Sequence, residues 1–193
     1  MSSPASPETP RRLFLALWPG EHERQRIAEL AARAVGRQRR IPDAQLHLTL
    51  VFLGPTDADP LAAYEAALAD LCVPAMELVL DRYGYWPAPR ILWLGSSHTP
   101  PELYELVAEL HRRLRSCGFT PEVRAFQAHI TLARRFQGLV PTESPAVSVC
   151  WRVNEVALVE SSPPQGSRYE ILRRWPKDSL STESPEKVMV TER

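Results

Sequence analysis

Two tetrapeptides of one pattern, His47-Leu48-Thr49-Leu50 and His129-Ile130-Thr131-Leu132, use two of the chain's five histidines. Side chains alternate faces along a β-strand, so each copy shows an imidazole and a hydroxyl on one side and two aliphatic residues on the other. Leu46, Leu48 and Leu50 have the parity opposite to His47 and Thr49, which supports that register for the first copy. Two imidazoles with ordinary pKa values near ~6.5 can serve as acid and base close to neutrality. In-line displacement at phosphorus needs a base on one side and an acid on the other. Threonine hydroxyls on the same face can donate to the non-bridging oxygens where charge gathers. A phosphodiester with an internal leaving group suits this set. A metal centre suits it poorly, because two imidazoles make a weak zinc set and no acidic residue adjoins either one. A single His-x-Thr in a strand is ordinarily a semi-buried structural histidine; it is the recurrence that points to chemistry. His22, His98 and His111 read as surface residues at a helix start, in a loop and on a helix face.

The elements that must position these residues follow from hydrophobic spacing. Arg12–Leu17 is a short apolar run closed by Trp18-Pro19-Gly20 and reads as a buried strand. Ile27, Leu30, Ala31, Ala34 and Val35 mark an amphipathic helix stopped near Gly36. A second strand lies between Ile41 and Gly54, closed by Gly54-Pro55. Asp59-Pro60 signals a helix start, with Leu61, Tyr64, Leu68 and Leu71 on one face. Met76–Leu80 and Arg90–Gly95 read as a strand pair joined by a Pro/Gly/Tyr-rich connection. Thr99 to Glu102 has capping-box spacing ahead of a helical stripe, Leu103, Leu106, Val107, Leu110 and Leu114, ended by Gly118. Strands around Gln127–Ala133, Val153–Glu160 and Tyr169–Arg173 complete a β-α-β-α-β-β-α-β-β-β order. Short strands interleaved with few helices indicate an α+β sheet rather than a doubly wound fold.

Composition bounds the partners. The 193 residues carry 23 Lys+Arg and 23 Asp+Glu, so general electrostatic coating of long nucleic acid is not expected, although a local basic site is possible. With 44% hydrophobic residues the chain can fold as an ordinary globular domain. No apolar run approaches the ~20 residues of a membrane span, and the N-terminus lacks a secretory pattern. A cytoplasmic protein without membrane contact is expected, as a monomer. Cys72, Cys117 and Cys150 lack CxxC spacing and read as small core residues. Residues 1–10 read as a flexible lead-in and Lys177–Arg193 as a disordered tail, leaving 11–176 as one domain. Arg33, Arg37, Arg39 and Arg40 form a basic run that reads as a solvated helix face or as a guiding basic patch.

At its paired motifs the chain closely resembles the two-histidine (2H) phosphoesterases, and among them the bacterial and archaeal RNA 2′,3′-cyclic phosphodiesterases also described as 2′-5′ RNA ligases. The resemblance includes Arg12–Leu17, Leu46–Gly54, Ile91–Gly95, Phe126–Arg134, and Glu160-Ser161 with Gly166–Tyr169. It implies a bilobal α+β fold with pseudo-twofold-symmetric antiparallel sheets, helices on the outer faces and a central cleft. The implied activity opens RNA 2′,3′-cyclic phosphate ends to 2′-phosphomonoesters without a metal or other cofactor. His47 would be the proton donor to the departing 3′ oxygen and His129 the base that activates water. Thr49 and Thr131 would hold phosphate oxygens, Arg134 would sit near the phosphate, and Phe14 would stack on the terminal base.

The chain departs from the family at Ala128, where proline usually precedes the second histidine. Arg134 has the wrong parity relative to His129, so it reaches the phosphate only through a bulge or the strand's end. Phe14 reads equally as a core aromatic. The residues by themselves treat the two histidines alike. They also leave open 2′-5′ end joining, hydrolysis of small cyclic nucleotides, and a non-catalytic RNA-end binding module.

Overall fold

A computed structural model describes residues 10–142, 144, 145, 147–162 and 168–176. The lead-in before residue 10, the tail from 177 and the Gly166-Ser167 part of the closing segment lie outside them. The strands are β1 (Arg11–Leu17), β2 (Leu48–Thr56), β3 (Met76–Leu80), β4 (Arg82–Trp86), β5 (Ile91–Gly95), β6 (His129–Arg134), β7 (Val149–Val153), β8 (Val156–Ser162) and β9 (Arg168–Trp175). The helices are α1 (Glu21–Val35), α2 (Ala58–Ala67) and α3 (Pro101–Arg115), with a 3-10 turn at Asp43–Gln45. Seven strands form one antiparallel sheet in the order β4-β5-β6-β2-β1-β8-β9, and β3 pairs with β7 in a second.

The helical stripes land where their spacing requires. Ile27, Leu30, Ala31 and Val35 of α1, and Leu103, Leu106, Val107, Leu110 and Leu114 of α3, are buried. They share one contiguous core with Leu48, Leu50, Ile130 and Leu132, so the aliphatic residues of both tetrapeptides face the helical layer. The histidines and threonines therefore face away from it. All of Leu13–Leu17 in β1 is buried, but on two sides. Leu13, Leu15 and Leu17 join the main core, while Phe14 and Ala16 join Ala157 and Val159 in a smaller cluster under Trp18, Tyr169 and Ile171.

Several expectations are corrected. The stretch expected to connect Met76–Leu80 to Arg90–Gly95 contains β4, which pairs with β5; β3 pairs instead with β7. Two extended runs close in sequence say nothing of which partner each hydrogen-bonds. Strand β2 continues through Gly54-Pro55 to Thr56. It has one registered pair with β6, so by Pro55 that side carries no ladder for a missing N–H to break. The residue before α2 is Asp57 and not Asp59, and α3 starts after Pro100 with no side-chain cap from Thr99. Cys72 and Cys150 are exposed, the latter because it lies on the outward parity of β7, and Cys117 is partly buried, so they are not three core residues. No helix among the described residues is long and apolar enough to cross a membrane.

Candidate active site

The two tetrapeptides meet at one point. β2 and β6 join through the pair Leu48↔Ile130, the second residue of each copy. An antiparallel pair lies on a local twofold axis. Here that axis exchanges the two motifs, and extending the register by one residue sets His47 against Thr131 and Thr49 against His129. Beyond this seam the strands part, and a cleft of about 730 Å³ opens along them. His47, Thr49, His129, Thr131 and Arg134 all line it.

Each imidazole is oriented in the same way. His47 Nδ1 lies 2.6 Å from the Gln45 carbonyl, and His129 Nδ1 lies 2.8 Å from the Gln127 carbonyl, two residues earlier in both cases. The carbonyl can only accept, so Nδ1 carries the hydrogen and Nε2 is left for the cleft. Burial pushes the His47 pKa down from 6.5 to about 4 against the opposing carbonyl bond, with smaller contributions from Arg134 and His129. His129 is lowered too, by burial first and then by Arg124 and Arg134. The unperturbed pair expected from sequence is thus replaced by two imidazoles that favour neutrality.

Arg134 reaches the cleft through a bulge. In the β5–β6 register Trp93 faces Thr131 while Leu92 faces Ala133, so Leu132 is an extra residue that reverses the parity after it. The first motif has the same irregularity. Ala16 faces Thr49 and Leu15 faces Val51, which makes Leu50 the extra residue in β2. The fourth position of each tetrapeptide is a bulge, and the residue five past each histidine, Phe52 or Arg134, lines the cleft.

Aromatic rings surround both histidines. Trp18 stacks on His47 at 5.3 Å and 7°, Phe14 lies 4.9 Å away, and Tyr169 meets the ring edge-to-face at 5.1 Å. Phe14 is 4% exposed beneath His47 and is not part of the cleft wall. Trp86 packs on His129 at 4.6 Å, with Trp93 at 6.3 Å. Trp18 reads from sequence as a strand stop and Trp86 as part of a loop, yet both pack on the histidines; the alternation of Arg82, Gly84 and Trp86 with Tyr83 and Tyr85 is the signal that marks β4. His111 is half-buried and lines the cleft, so it is not a plain surface residue. Arg33, Arg37, Arg39 and Arg40 lie outside the cleft wall, and Arg40 pairs with Asp43. Among the described residues, no three His, Cys, Asp or Glu side chains gather as a metal ligand set.

Residues 18–163 match the 2'-5' RNA ligase superfamily. An RNA 2',3'-cyclic phosphodiesterase of Escherichia coli is 32% identical over 169 residues, which is 86% of this chain and 96% of that protein. The crystal structure of E. coli LigT in apo form superposes with a TM-score of 0.79 at 31% identity, covering 87% of this chain and 98% of LigT. LigT complexed with 3'-AMP gives 0.77 at 32% identity, over 86% and 97%. The chain belongs to the 2'-5' RNA ligase superfamily. Within it, the chain is a member of the LigT-like RNA 2′,3′-cyclic phosphodiesterase family.

Proposed function

We propose that the protein hydrolyses RNA 2′,3′-cyclic phosphate ends to 2′-phosphomonoesters by metal-independent acid–base catalysis from His47 and His129. The observation that carries this reading is the pair of imidazoles on one cleft, each with Nδ1 tied to the carbonyl two residues back and Nε2 left for the substrate. The solved complex of LigT with 3'-AMP, a nucleoside monophosphate, supports a nucleotide as the ligand class. In this reading the cyclic phosphate sits over the Leu48↔Ile130 seam. Thr49 and Thr131 donate to its non-bridging oxygens, and Arg134 offsets the charge that builds there. His129 takes a proton from water as the new P–O bond forms, and His47 gives one to the departing 3′ oxygen. Burial alone leaves both rings neutral at pH 7, so the acid needs the anionic phosphate beside it to hold its proton. Phe14 supports the His47 ring from below in this arrangement rather than stacking on a base. Residues 11–176 act as one unit of two lobes, one lobe per motif, related by the axis through the seam.

Alanine at either histidine is expected to lower turnover of an oligonucleotide with a 2′,3′-cyclic end by ~100-fold or more. The double variant should fall little further, because acid and base act as a unit. Full turnover in the double variant would falsify the proposal. Tight binding without product would instead favour a non-catalytic RNA-end module. Joined product from 2′-phosphate-type ends would show the same cleft running in reverse.

A further inference from the structure

We propose that Arg12, held on the ring of Phe52, binds an RNA backbone phosphodiester upstream of the reacting end, so that the cleft favours a polynucleotide over a cyclic mononucleotide. This rests on the cyclic phosphodiesterase reading and extends it to a second subsite. Phe52 occupies in the first motif the position of Arg134 in the second, and at 37% exposure it is a partly exposed aromatic on an otherwise largely buried strand. The Arg12 guanidinium lies 4.8 Å from its ring centroid, and both residues line the cleft. Among the described residues no carboxylate pairs with Arg12. Its neighbour Arg11 is tied to Glu160, and Arg124 on the same cleft is tied to Glu122. A guanidinium with one face on an aromatic ring keeps its N–H groups directed outward at its edge, the geometry that takes two oxygens of one phosphate. Phe52 stands roughly 10–13 Å along β2 from the seam. Arg134, at the same spacing on β6, has no carboxylate partner among the described residues, and its side chain can extend back toward the seam. The Arg12 guanidinium is instead held at the Phe52 ring, within reach of the strand's neighbouring phosphodiesters.

The test compares wild type with Arg12→Met, which keeps the apolar stem and removes the charge, and with Phe52→Leu, which removes the ring beneath it. Substrates are a nucleoside 2′,3′-cyclic monophosphate and an oligonucleotide with the same end; oligonucleotide binding is also followed by fluorescence anisotropy. Arg12→Met is expected to raise KM for the oligonucleotide about 10-fold more than for the mononucleotide, with the loss on KM rather than kcat. The salt slope of oligonucleotide affinity should drop by about 0.7, one phosphate contact to a single strand. Phe52→Leu should move both in the same direction by less. Equal effects on the two substrates, or an unchanged salt slope, would overturn the subsite. If wild type turns over neither substrate, the catalytic reading fails by itself, while the anisotropy slope still decides whether Arg12 contacts the backbone.

Discussion

An imidazole that donates one N–H to a carbonyl has a single nitrogen left for proton transfer, and His47 and His129 both make that commitment two residues back along the chain. What separates them is their surroundings. His47 lies among Trp18, Phe14 and Tyr169, and its pKa falls to about 4 mainly through burial. A stacked indole also attracts a protonated ring, by about 2 kcal/mol at a desolvated site or about 1.5 pKa units, which is less than the fall from 6.5 to about 4. Burial is the larger effect, so Trp18→Ala, which opens one face to water, is expected to raise the His47 pKa toward 6.5. An NMR titration of the ring would measure it, and a fall would mean that stacking outweighs burial. The motif announced both histidines because their types recur in order. It did not announce the aromatic partners, which come from β1 and the residue after it, from β9, and from β4 and β5, and share no spacing with the motif.

Strand irregularities decide what the motif strands can present. Leu50 and Leu132 are extra residues in their ladders, and the second one brings Arg134 onto the face of His129 despite its odd spacing. The parity rule that predicted the His and Thr faces holds up to the bulge and reverses beyond it. No residue type marks the bulge, because a leucine is as much at home in a regular ladder. Gly84 in β4 shows another demand of the sheet. A Cβ there would stand 1.9 Å from Trp93 Cζ2, and Trp93 is 3% exposed beside Thr131 in the register. Gly84→Ala is expected to cost about 1–3 kcal/mol in urea unfolding by displacing that ring. It should also lower turnover, since Trp93 packs against His129.

For the whole molecule, keeping two imidazoles neutral ties stability to pH. The folded state resists protonating His47 between its unfolded value of 6.5 and about 4, whereas the unfolded chain takes up that proton. Stability from this source is complete above pH 6.5 and is lost as pH falls toward 4, by an amount on the order of 3 kcal/mol. Lowered carboxylates such as Glu109 act in the same direction, but only below their ordinary value of 4.5. Urea midpoints are therefore expected to drop from pH 7 to pH 5, and to drop less in His47→Asn. Equal drops in the two proteins would assign the effect elsewhere. The sequence by itself determined the helical stripes, the register of both tetrapeptides and the class of chemistry, because alternation and 3.6-residue periodicity are local consequences of backbone geometry. Only the tertiary structure decided that β2 and β6 join at Leu48 and Ile130, that Arg134 turns into the cleft, and that aromatic rings enclose each imidazole. Those outcomes depend on which distant strands hydrogen-bond and where their ladders slip, and hydrophobic patterning is blind to both.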